Sequence, residues 1–88
     1  MKIDNIVKEF NKYHATKSKL VSASKKTIVI EMKGKSEAGI EKDMHALRTR
    51  LEEILNDSVL IQSIRKSGST FTVKFSIEKS PAEDILEI

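Results

Sequence analysis

Cysteine and tryptophan are absent from these 88 residues, and proline occurs once. Without cysteine there is no disulfide, no thiolate-held zinc and no cysteine-held iron–sulfur cluster. Small secreted domains usually carry disulfide staples, so this lack points towards the cytoplasm. Aromatic residues make up only 5% of the chain, which leaves little for stacking on nucleobases. No apolar run reaches the length of a membrane span, and the opening MKIDNIVKEF lacks the apolar core of a signal peptide. A Gly-rich phosphate loop, a GxSxG elbow and an HExxH pair are missing as well.

What the chain does have is charge and periodicity. Hydrophobic residues are 39% and charged residues 33%, patterned too regularly for disorder and sufficient for a single domain over residues 1–88. The net charge of +3 is unevenly spread. Residues 1–35 hold nine lysines against Asp4, Glu9 and Glu31, while residues 36–57 carry three basic and six acidic side chains. Residues 58–79 are basic again, through Arg65, Lys66, Lys74 and Lys79 against Glu78, and the last nine residues are acidic. Such asymmetry fits either a nucleic-acid surface or a solvated lysine-rich one.

Within residues 36–57, Ile40, Met44, Leu47, Leu51 and Ile54 recur at spacings of four and three, with Leu55 beside the last. That predicts a long amphipathic helix with one apolar stripe, N-capped by Ser36. Gly39 in its first turn costs about 1 kcal/mol relative to alanine, a cost that close packing or a backbone-lined anion site would explain. Earlier, Ile3, Ile6, Val7, Phe10 and His14 give a first helix, capped by Asp4 or Asn5 and reaching Tyr13 or Ala15. Residues 17–24 either prolong it or form an edge strand; Leu20 and Val21 break the helical stripe, which favours the strand. In residues 27–34, Ile28, Ile30 and Met32 alternate with Thr27, Val29, Glu31 and Lys33, and Gly34 ends the strand. A hairpin follows over residues 59–66 and 70–79, turning at Ser67, Gly68 and Ser69. In its second strand Phe71, Val73, Phe75 and Ile77 alternate with Thr72, Lys74, Ser76 and Glu78. Ser80, Pro81 and Glu83 read as the start of a short C-terminal helix. The expectation is an α+β two-layer sandwich of order α-β-β-α-β-β plus that helix, with helices on one face of a mostly antiparallel sheet.

Chemistry is sparse. His14 and His45 lie on different helices without partners at metal-ligand spacing, and the adjacent Glu52 and Glu53 point in different directions. No catalytic residue, metal site or cofactor is expected, and enzyme activity is not. Two uses remain. One is a non-catalytic interaction domain that binds another protein or a second copy of itself through Ile85, Leu86 and Ile88. The other is sequence-independent nucleic-acid binding, because Phe71 and Phe75 share the core side and leave only phosphate contact. Its candidates are Lys17, Lys19, Lys25, Lys26, Lys33, Lys35, Arg65 and Lys66. The turns at Lys25-Lys26 and Arg65-Lys66 meet at one end of the sheet only if both hairpins point the same way. No membrane partner is expected.

Two family resemblances add to this reading. A strand ending at Gly34, a helix entered through Gly39-Ile40-Glu41 and a Val- and Ile-rich strand after it resemble the core of the NifU-like C-terminal domain. The preceding NIVKEFNKYH and KSKLVSAS segments match that family's earlier helix and strand. The resemblance implies the fold and, functionally, an iron–sulfur-assembly-like domain. The family's Cys-x-x-Cys position reads Gly34-Lys35-Ser36-Glu37-Ala38 here, so the domain would be degenerate and hold no cluster. Residues 27–79 are also similar to Alba, the archaeal chromatin and RNA-binding family, in their strand–helix–strand–strand order. Alba's first strand and its paired lysines before the first helix are missing.

Overall fold

The computed structural model describes residues 3–24 and 26–78. Its elements run α1 (Ile3–Asn11), β1 (Lys17–Ala23), β2 (Thr27–Lys33), α2 (Glu37–Leu55), β3 (Val59–Ser67) and β4 (Thr70–Ile77). The four strands form one wholly antiparallel sheet in the order β1-β2-β4-β3, so β1 and β3 are its edges. The terminal helix expected from Ser80, with Ile85, Leu86 and Ile88, lies outside the described residues, as does Lys25.

Both helices cover the same face. Ile28, Ile30 and Met32 of β2 and Phe71, Val73, Phe75 and Ile77 of β4 are all buried. They form one core with Ile3, Ile6, Val7 and Phe10 of α1 and with Ile40, Met44, Leu47, Leu51 and Leu55 of α2. The period-2 and period-3.6 patterns thus converge on a single apolar layer. Ile54 sits at the margin of the α2 stripe, half-buried, and Leu55 takes the buried place.

Local chemistry fixes the ends of α2. Ser36 caps it, its Oγ accepting from the Gly39 N–H at 3.1 Å, and Asn56 closes it in the left-handed conformation at φ 53°. A Cβ on Gly39 would stand 3.0 Å from Ser36 Oγ, so close packing against the cap accounts for this glycine. Gly34 is held more tightly. A Cβ there would meet Ile40 Cγ1 at 2.9 Å, where the end of β2 passes under the start of α2. At the far end Arg48 and Glu52 tie the helix to the first residue of β3. The Glu52 Oε2 accepts from the Val59 N–H at 3.0 Å, Arg48 donates to the Val59 carbonyl at 3.3 Å, and the two side chains pair at 2.6 Å.

The first helix starts earlier than a cap at Asp4 or Asn5 implies and stops earlier than its apolar spacing suggests. Asp4 lies inside its first turn, pairing with Lys8 at 3.0 Å, rather than serving as cap. It ends at Asn11, whose side-chain amide is committed to β1: Oδ1 accepts from the Ser18 N–H and Nδ2 donates to the Ser18 carbonyl, both at 2.8 Å. His14 lies beyond the helix and stacks on Phe10 at 3.7 Å between ring centres.

Both edge strands carry an extra residue. The β1–β2 register passes from Leu20↔Ile30 to Ser22↔Val29, leaving Val21 as a bulge. The β3–β4 register passes from Ile61↔Phe75 to Ser63↔Lys74, leaving Gln62 as another. Each bulge reverses which face the following residues occupy. In β1 this returns Ala23 to the core side, opposite Ile28. In β3 it turns Arg65 to the open face and Lys66 to the helix side.

Candidate functional site

The face of the sheet away from the helices is uncovered by any described element. Cross-strand partners share a face in an antiparallel ladder, so the register maps it directly. One row runs Lys17, Lys33, Thr70, Ser67 and the next Lys19, Glu31, Thr72, Arg65. The third runs Ser22, Val29, Lys74, Ser63, and the last Thr27, Ser76, Leu60. Five cations, Lys17, Lys19, Lys33, Arg65 and Lys74, therefore stand against a single carboxylate, Glu31, on a field of hydroxyls. None of the five is in an ion pair among the described residues. The helix layer has the opposite sign, because α2 with its caps and the following Asp57 holds six acids against Lys42, Arg48 and Arg50. One side of the molecule is basic and the other acidic.

Edge protection explains part of this. Lysine on an exposed edge discourages sheet-to-sheet pairing, and Lys17, Lys19 and Arg65 lie on edge strands. Lys33 and Lys74 do not: they sit on β2 and β4, the two central strands, where no edge needs guarding. Lys17 and Lys33 also stand directly opposite each other. Like charges so placed are destabilising, by roughly 0.2–1 kcal/mol.

The structure places the sequence candidates in three groups. Lys17, Lys19, Lys33 and Arg65 gather on the open face. Lys26 and Lys35 lie in connections at opposite ends of the sheet, because the β1–β2 turn adjoins Ser76 and Leu60 whereas the β3–β4 turn adjoins Lys33 and Lys17. The two basic turns therefore do not meet. Lys66 faces the helix side, where its Nζ pairs with Glu37 at 3.3 Å and sits 5.2 Å from the centre of the Phe71 ring. Lys74 joins the open-face group although it was not among the sequence candidates for phosphate contact. Its strict alternation with Val73 and Phe75 was the signal that assigned it there.

Two of the clefts among the described residues adjoin sequence candidates. One, of about 500 Å³, opens at the start of α2 between Lys17, Lys33, Lys35, Ser36 and Asp43, continuing the basic end of the sheet. The other, of about 330 Å³, lies between the helices and is lined by Phe10, Tyr13, His14, Ala46, Arg50 and Glu53. His45 is exposed on α2, and its backbone carbonyl accepts from the Thr49 hydroxyl at 3.1 Å. Glu52, tied to Arg48 and to Val59, is a structural clamp, and Glu53 pairs with Arg50 at 3.3 Å. No group of three or more metal-ligating side chains occurs among the described residues, and none of their helices is long and apolar enough to cross a membrane. The large apolar side chains left exposed, Tyr13, Val21, Leu60 and Ile64, lie on different parts of the surface, so they form no docking patch. No protein family, curated protein or solved structure matches this chain.

Proposed function

We propose that this chain binds the phosphate backbone of nucleic acid, without reading base sequence, through the open face of its sheet. The observation that carries the reading is the pair of lysines on the central strands, Lys33 and Lys74, set among Lys17, Lys19 and Arg65. Lysine and arginine bind phosphates by releasing condensed counterions, so a field of unpaired cations is the physical requirement for such binding. The acidic helix layer orients the encounter, since it repels the same polyanion that the sheet attracts. Phe71, Phe75 and Phe10 are buried, so no aromatic platform is available on this face for stacking bases. Binding then rests on phosphate contact and not on base stacking.

Salt dependence tests this. Five phosphate contacts give a slope of log K against log salt of about −4.5 on duplex and about −3.5 on single strands. Fluorescence anisotropy with short labelled duplexes and single strands, titrated from low to moderate salt, measures it. Absence of binding at low salt, or binding indifferent to salt, contradicts the reading. The interaction-domain reading rests on Ile85, Leu86 and Ile88, outside the described residues, and the cluster-free assembly-domain reading rests on sequence likeness alone. No geometric feature among the described residues favours either over the basic face.

A further inference from the structure

We infer that the polyanion suited to this face is double-stranded RNA, engaged across its shallow minor groove; the inference rests on the phosphate-binding role proposed above. The five cations do not fill the face evenly. Lys17 and Lys19 on β1, with Lys33 beside them on β2, form one basic flank, and Arg65 on β3 with Lys74 on β4 forms the other. The outermost strands are three strand spacings apart, or about 14 Å. Between the flanks, in the row Lys19, Glu31, Thr72, Arg65, stand a carboxylate and a hydroxyl.

Glu31 decides what lies over the centre. An ionised carboxylate only accepts hydrogen bonds and repels phosphate, so the centre calls for donors while both flanks call for phosphates. A groove floor bordered by two backbones has that arrangement, and a single backbone does not. The groove must also admit a four-stranded sheet. The major groove of B-DNA takes a helix or a two-stranded ribbon, and its minor groove is only about 6 Å wide. The major groove of an A-form helix is deep and narrow, whereas its minor groove is wide, shallow and lined by 2′-hydroxyls. Those hydroxyls are the donors and acceptors that Glu31 and Thr72 match.

The test compares four ligands of one sequence at a single fixed salt: duplex RNA, duplex DNA, an RNA–DNA hybrid and single-stranded RNA. Two hydrogen bonds to 2′-hydroxyls correspond to duplex RNA binding at least about tenfold more tightly than duplex DNA, with the hybrid between them. Glu31→Gln and Thr72→Val then narrow the gap between RNA and DNA and leave the salt slope for duplex RNA unchanged. Equal binding of the two duplexes, tighter binding of single-stranded RNA, or a gap that both substitutions leave intact overturns the inference. Failure to bind any of the four instead overturns the phosphate-binding role itself.

Discussion

Replacing Lys17, Lys19, Lys33, Arg65 and Lys74 together by glutamine is expected to abolish nucleic-acid binding while leaving the fold intact. The size of the effect follows from counterion release. Five contacts at a slope of about −4.5 are worth about four to five decades of affinity at 0.1 M salt relative to 1 M. That is essentially all of a sequence-independent interaction, so no residual binding should be measurable by anisotropy. Stability should move the other way. The Lys17–Lys33 opposition is removed, and each residue stays polar on a solvated face, so the variant is expected to melt at or above the temperature of the parent. A surface that gains stability when its charge is deleted holds that charge for something other than folding. If the variant still binds in a salt-dependent manner, the cations that matter lie elsewhere.

Substituting Phe75 by alanine is expected to have the largest effect on the fold. Phe75 is fully buried in the central strand β4, between Ile28 of β2 and Ile61 of β3 in register. Truncating a buried phenylalanine costs about 3–5 kcal/mol, as lost transfer energy and as the cavity left behind. A domain of this length has a total stability of about 4–13 kcal/mol, so the loss takes from about a quarter of it to nearly all. Urea denaturation of the variant should show a much lower midpoint with a similar slope. Thr72→Ala on the same strand, facing the open side, should stay within about 0.5 kcal/mol. A loss at Phe75 below about 1 kcal/mol would mean that the helices do not pack on this face as described.

The contrast between those two neighbours shows what the sequence made legible. Strict alternation assigned every residue of β2 and β4 to its face, and the spacing of Ile40, Met44, Leu47 and Leu51 identified the buried side of α2. These elements have one wet and one dry side, so burial writes itself into the period. The edge strands were harder, because each carries a bulge. The extra residues Val21 and Gln62 interrupt the period without any glycine or proline to mark them. A single uninterrupted alternation through β3 would have put Arg65 with Val59 on the helix side and Lys66 on the open face. The bulge exchanges them, which is why one became part of the basic face and the other a partner of Glu37. The early stop of α1 was hidden for a different reason. Asn11 ends that helix through a contact with Ser18, seven residues on, and no local propensity encodes a partner at that distance.

The candidate site was half legible for the same physical reason. Lys33 and Lys74 could be placed on the open face from alternation alone, but grouping them with Lys17 and Arg65 needed the strand order and both registers. Lysine pairs in turns are adjacent in the sequence, whereas lysines on different strands are not. The hairpins, however, point to opposite ends of the sheet, and a charge cluster in sequence became two separated ones in space. Lysines far apart in the chain became the contiguous group.

The claim that the open face is the binding surface is tested most directly by methyl NMR during titration with a short RNA duplex at low salt. Thr27, Val29, Thr70 and Thr72 place methyl groups on the open face, while Ala46 and Thr49 report on the helix layer and its cleft. The account predicts that the first set shifts with duplex concentration, most strongly Thr70 and Thr72 between the two basic flanks, and that Ala46 and Thr49 stay in place. Shifts confined to Ala46 and Thr49, or none in either set, would contradict it.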